Sequence, residues 1–254
     1  MEKNIDYDFV SQILLNVGRI MIESGAETSR AEDTMRRIAH KAGIEDLEVF
    51  STVTGIVVGI NKIDKTAVIQ IYSRATDMEK VVAVNDLSRK FTSGKITLEE
   101  LGKGIDQVEK SVPDFPIWLE AIASFIISGG LMMLFSPATA NWNDFIPAGI
   151  IGMSGYMTSF FLHRSYKMQF ISDFVASFLI GILSVIVAEL HFVVSFDGVI
   201  IGAIMPLVPG IVIMNGVRDM ISGHLLSGLA RFLEAFLTFI FIGAGIGIVL
   251  RFFR

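Results

Sequence analysis

From residue 117 onward the chain runs through five apolar stretches, roughly Ile117–Phe135, Phe145–Leu162, Phe174–Leu190, Val199–Met214 and Phe232–Leu250. Each approaches the ~20 residues that a helix needs to cross ~30 Å of hydrocarbon. Charge divides the same way. Residues 1–116 hold 15 of the 21 Lys and Arg and 19 of the 26 Asp and Glu, whereas residues 117–254 hold 6 and 7. One part is suited to water and the other to lipid. The pattern predicts an α-helical integral membrane protein of about five transmembrane helices (residues 115–254), preceded by a cytosolic α+β domain (residues 1–114).

The first part reads as helix, helix, strand, strand, helix, helix. Val10, Ile13, Leu14, Val17, Ile20 and Met21 share one helical face. Ser24 and Glu27 have capping-box spacing for a second helix, whose stripe is Ala31, Met35, Ile38 and Ala39 and whose end is Gly43. Leu47–Ile60, rich in Val, Ile and Thr, reads as extended. Asn61 to Lys65 supply a turn before a second strand, Thr66–Ser73. Met78, Val81, Val84, Leu87 and Phe91 fit a helix, and Thr97 with Glu100 form a capping box for another. Pro113 and Pro116 mark the end of the domain.

Orientation follows from Lys and Arg in the short loops. The loop Ser136–Asp144 and the segment His191–Gly198 have none, whereas His163–Ser172 carries Arg164 and Lys167, and Asn215–Arg231 carries Arg218 and Arg231. The basic loops belong inside. The polar N-terminus, Met1 to Asp6, lacks the basic and apolar regions of a signal peptide. Both observations predict a multi-pass cell-membrane protein with its N-terminal domain in the cytosol. Five spans then put the C-terminus outside, against which Arg251 and Arg254 weigh. Gly198 with Gly202, and Gly243 with Gly247, have the four-residue spacing that permits close helix contact in lipid.

Enzyme chemistry has no foothold. There is no cysteine. His40, His163, His191 and His224 lack metal-ligand spacing, and Gly94 to Thr97 lack the glycine spacing of a phosphate loop. No nucleophile motif occurs. No catalytic residue, metal or cofactor is expected, and a net charge of −5 without a basic run makes nucleic acid an unsuitable partner.

The fourth stretch carries the most information. Pro206, Pro209 and Gly210 are followed by Asn215, Arg218 and Asp219. Each proline lacks a donor and blocks the carbonyl four residues earlier, so carbonyls near Gly202 and Met205 are expected to lose helical partners. Broken membrane helices often form transport sites. Arg218 suits a carboxylate substrate, and Asp219 or Glu234 suits proton exchange. Alternatively these residues anchor the chain at the cytosolic surface, the reading preferred for Arg231. Glu120, Asp173 and Glu189 fall near span ends, where ionisable residues are commonly interfacial.

The run Gly25 to Met35, the pair Asp77-Met78, Val84 to Arg89, and Pro206 to Gly210 with Asn215, Arg218, Asp219 and Gly223 resemble the threonine/serine exporter family over nearly the whole chain. That resemblance implies a secondary transporter driven by the proton gradient. Fused members of the family add a second membrane unit that this chain lacks. It therefore resembles the larger subunit of the split form, which is associated with succinate export and works with a small integral membrane partner. The implied pathway residues are Pro206, Pro209, Gly210, Asn215, Arg218 and Asp219, and the substrate is a small carboxylate. Glu27, Thr28, Arg30, Glu32 and Asp33 match a family motif. By themselves they read as a helix start with a solvated face; their density suggests a cytosolic gate or docking surface. A homo-oligomer is a further expectation. The competing reading is a non-transporting membrane sensor or assembly protein acting through its cytosolic domain.

Overall fold

The computed structural model describes residues 6–72, 74–111, 115–135, 141–166 and 168–253. Residues 1–5, Ser73, Pro113, residues 136–140, Lys167 and Arg254, invoked above for the N-terminus, strand end, domain boundary and loop charge, lie outside them. The six-residue stripe from Val10 to Met21 forms the buried face of α1 (Tyr7–Glu23). Ala31, Met35, Ile38 and Ala39 do the same for α2 (Thr28–Ala42). The second helix does not begin with the expected capping box. Ser24 instead closes α1, and Glu27 is the residue before α2 without a side-chain bond to its amides.

The segment Leu47–Ile60 folds as two strands rather than one. The Thr52 hydroxyl accepts hydrogen bonds from the Thr54 and Gly55 amides. This local alternative to the ladder turns the chain. It separates β1 (Leu47–Thr52) from β2 (Gly55–Ile60), with Leu47 opposite Ile60. After a 3-10 turn at Asn61–Ile63, β3 (Lys65–Gln70) pairs with β2 to give an antiparallel sheet in the order β1-β2-β3. The expected two strands are thus three. In α3 (Met78–Thr92), Val81, Val84 and Phe91 are buried but Met78 is exposed. The second capping box forms as read: the Thr97 amide donates to Glu100 Oε2 at 2.8 Å and the Glu100 amide to Thr97 Oγ1 at 3.2 Å. It opens α4 (Leu98–Ser111).

The apolar remainder forms α5 (Ile117–Phe135), α6 (Trp142–Tyr166), α7 (Gln169–Glu189), α8 (Phe196–Ile204), α9 (Gly210–Ile221) and α10 (Leu225–Phe253). α5, α6, α7 and α10 are long and apolar enough to cross a membrane; the interrupted pair α8–α9 makes five if counted as one span. Two compact units result. The first comprises Met1–Pro113 with Gly210–Leu233, and the second Asp114–Pro209 with Glu234–Arg254.

In the second unit Met132, Ala148, Ile151, Ala176, Ile180, Val199, Ala203 and Ile242 form the apolar core. Glycines set its close approaches, as expected where lipid removes the hydrophobic drive between helices. A β-carbon at Gly152 would collide with Ser128 of α5 and lie 3.1 Å from the Ala203 Cα of α8. Gly202 likewise abuts Met132. Gly243 and Gly247 make no such contact, because α10 turns the opposite face inward. Gly245 is pressed instead against Phe174 and Ser177 of α7. At the start of α8, the buried carboxylate of Asp144 accepts the Val194 and Ser195 amides, both at 2.8 Å.

In the first unit Arg19 fastens α1 to α4. Its guanidinium donates to Glu109 through two nitrogens, at 2.9 and 2.8 Å, and to Glu23 at 3.1 Å. The bond from Arg19 holds the Glu109 carboxyl below its ordinary range, whereas burial pushes Glu23 up. A depressed carboxyl contributes stability at neutral pH that is lost as pH falls through its folded value. Arg19→Gln should therefore cost about 1 kcal/mol near neutrality, discounted because Glu109 is half exposed. The deficit should shrink on acidification below the ordinary carboxylate range, measured as the melting difference of the purified full chain.

Candidate functional site

The end of α1 and the start of α2 leave unpaired backbone groups of opposite sense. Gly25 adopts φ +84°, a left-handed conformation that glycine tolerates. It lets the Ala26 amide reach back to the Met21 carbonyl at 2.9 Å, closing α1 in a Schellman motif. The chain then enters α2 directly at Thr28. The carbonyls of Gly25 and Ala26 and the amide of Thr28 thus sit side by side within four residues.

All three find partners on α9 and α10, some 190 to 205 residues away. Asn215 Nδ2 donates to the Gly25 carbonyl at 2.7 Å and Arg231 donates to the Ala26 carbonyl at 2.7 Å. The Thr28 amide donates to Asp219 Oδ1 at 2.8 Å and the Thr28 hydroxyl to Oδ2 at 3.0 Å. Arg231 Nε lies 3.1 Å from the same Oδ2. The charges match the helix ends: a cation meets the carbonyl end of α1, and an anion the amide end of α2. Asp219 is fully buried and Arg231 is 4% exposed. At the rim, Arg218 donates to Glu27 Oε1 at 2.6 Å, which explains why Glu27 does not cap α2.

Local sequence brings these residues into line. Gly223, at φ +90°, turns α9 into α10, and the His224 amide closes α9 on the Asp219 carbonyl at 2.8 Å. Gly216 and Gly228 allow the two helices to touch, with the Gly228 carbonyl 3.2 Å from a β-carbon placed at Gly216. That approach sets Arg231 beside Asp219. The His224 imidazole lies 3.8 Å from Glu32 Oε1, which also accepts from the Ser51 amide and hydroxyl of β1.

Asn215, Arg218 and Asp219 are therefore gathered with Glu27 and Thr28. Arg30 and Asp33 are not; both are exposed, and Asp33 pairs with Arg37 one turn on. Glu32 serves β1 and the α9–α10 turn. Gly210 is exposed at the start of α9, and Pro206 and Pro209 belong to the end of the second unit. Two expectations are overturned. Arg231 is a buried partner rather than a surface anchor, since the carbonyl of Ala26 and the carboxylate of Asp219 offset its desolvation. The carbonyls of Gly202 and Met205 also keep partners. The Met205 amide donates to Gly202, and the Val208 amide to Met205 at 3.1 Å, because a 3-10 turn at Met205–Leu207 bonds three residues back and so bypasses the prolines.

A family model described as "Putative threonine/serine exporter" matches residues 12–253. The chain belongs to the threonine/serine exporter family. A multi-pass membrane protein of this family is in keeping with the four or five helices here that are long and apolar enough to cross a membrane. Among curated relatives, the "Probable threonine/serine exporter" of Mycobacterium tuberculosis is 23% identical over 95% of this chain and 46% of its own. The "Threonine/serine exporter" of Corynebacterium glutamicum is 21% identical over 94% of this chain and 50% of its own. The chain spans about half the length of these relatives. No solved structure matches it.

Removing one member of the Asp219–Arg231 pair leaves the other buried and uncompensated. In this exporter-family chain Arg231→Met alone should cost about 3–5 kcal/mol. Asp219→Asn combined with Arg231→Met should cost less than the sum of the two single changes, read as a double-mutant cycle of melting or denaturant midpoints. Additive costs would show that the two side chains do not act as a unit.

Proposed function

We propose that the chain exports small amino acids of the threonine/serine type, or a related small carboxylate such as succinate, in exchange for protons. The break residues Pro206, Pro209 and Gly210, with Asn215, Arg218 and Asp219, form its path, and the α1–α2 junction acts as a cytosolic gate. A small membrane partner supplies the rest of the transporter. The names of the two exporter relatives support the amino-acid reading.

The observation that carries this reading is the state of Arg218. Its side chain is 56% exposed and already holds a carboxylate, that of Glu27. An accessible guanidinium is a bidentate receptor for a substrate carboxylate, and Glu27 occupies it in the meantime. Competition between the two would free the α1–α2 junction as substrate binds. Asp219, buried beside it, holds the junction in register.

The test is efflux from vesicles containing the full chain, with and without the partner, loaded with labelled threonine, serine or succinate. Flux of at least one is expected; absence of all three with both subunits present overturns the exporter reading. Arg218→Gln should lower flux about tenfold or more, the loss of one charge-assisted contact, with the protein still in the membrane. Unchanged flux would remove Arg218 from the path.

A further inference from the structure

Three acidic side chains are buried among the described residues: Asp144, Asp173 and Asp219. Their partners differ in kind. Both oxygens of Asp144 face backbone amides. Asp219 faces the Thr28 amide on one oxygen, and both the Thr28 hydroxyl and the Arg231 guanidinium on the other. Amides and guanidinium groups donate only, so every oxygen of these two carboxylates faces at least one fixed donor. Asp173, on α7, is 7% exposed, and its Oδ1 accepts from the Ser159 hydroxyl of α6 at 2.8 Å. A hydroxyl donates to a carboxylate and, after rotating, accepts from a carboxylic acid. Asp173 can thus keep its hydrogen bond in both protonation states.

Its surroundings extend the argument. Three residues earlier on α6, hence one turn away on the same helix, the Tyr156 hydroxyl donates to Glu120 of α5 at 3.2 Å. Two carboxyl groups on α5 and α7 are therefore each joined to a hydroxyl of the helix between them. His163 of α6 acts electrostatically on Asp173. The remaining charged side chains of the helices packed on α7 are Arg164 of α6, Asp197 in the first turn of α8, and Glu234 and Arg251 of α10. A buried acid inside an apolar bundle is costly to keep and marks an ion route when it is kept.

We propose that Asp173 is the group that binds and releases the coupling proton, with the Ser159 hydroxyl holding it in both states. One proton adds to the Asp173 carboxylate and later leaves it; no other bond changes. The proposal rests on the exporter reading above and gives its proton a carrier other than Asp219.

Two measurements on the full chain with its partner test it. In vesicles, flux driven by a pH gradient is divided by flux without one. Asp173→Asn should bring that ratio to about one, while Asp173→Glu keeps it near the unaltered protein's. A ratio unchanged in Asp173→Asn overturns the proposal. The second readout needs no substrate: proton uptake by the purified protein across the physiological pH range, followed with an indicator dye. Asp173→Asn should take up about one proton fewer, and Ser159→Ala should shift the uptake curve. Equal uptake by the unaltered and Asp173→Asn proteins overturns the proposal, including where a variant carries no substrate. Absence of flux from the unaltered protein would instead count against the exporter reading, and the proton count would still decide this one.

Discussion

The Asp219 carboxylate at the amide end of α2, paired with Arg231 at the carbonyl end of α1, is the constraint on which the first unit depends. The apolar cluster of that unit is built from α1 to α4 and the sheet and contains no residue of α9 or α10. What fastens the α9–α10 hairpin to it is polar: Asn215, Arg218, Asp219 and Arg231. Such an attachment is directional. Asn215, Asp219 and Arg231 have been taken out of water, so their bonds must be complete to be stable, and they specify one register between the hairpin and the α1–α2 junction.

The outer faces of the same hairpin suit a different solvent. Ile211, Met214 and Ile221 of α9, and Leu225, Leu229 and Phe232 of α10, are exposed apolar side chains. The hairpin thus has a polar inner edge and an apolar outer one. Arg218, held by Glu27, is the exposed part of this edge; the buried Asp219–Arg231 pair is the part that keeps its shape.

Much of the fold was legible in the sequence because it rests on periodicity and length. The stripes of α1 and α2, the Thr97–Glu100 box and the apolar helices needed no tertiary information. Errors arose where a local signal had two outcomes. Ser24 and Glu27 have capping-box spacing, but Glu27 is drawn away by Arg218, and Asp219 takes its place at α2. Val53 and Thr54 lie within a β-rich run, and only the Thr52 hydroxyl shows that the chain turns there. Pro206 and Pro209 signalled a break, yet a 3-10 turn recovers the carbonyl partners that an α-helix would have lost. Glycine spacing pointed to Gly243 and Gly247, but which face of α10 turns inward is decided by α7.

By itself, then, the sequence determined what depends on neighbours in the chain: which segments are helical, which suit lipid, where helices stop, and that Asn215, Arg218 and Asp219 follow a break. It also placed Glu27 and Thr28 within a motif of unusual charge density. Only the tertiary structure decided which of these side chains meet. Partners some 200 residues apart, such as Thr28 and Asp219, leave no periodic trace, because their meeting depends on the approach of backbones, here through Gly25, Gly216 and Gly228. For the same reason Asp173 read as an interfacial residue until Ser159 was found beside it. Burial and partner, not residue type, separate a carboxylate that holds the fold from one free to exchange a proton.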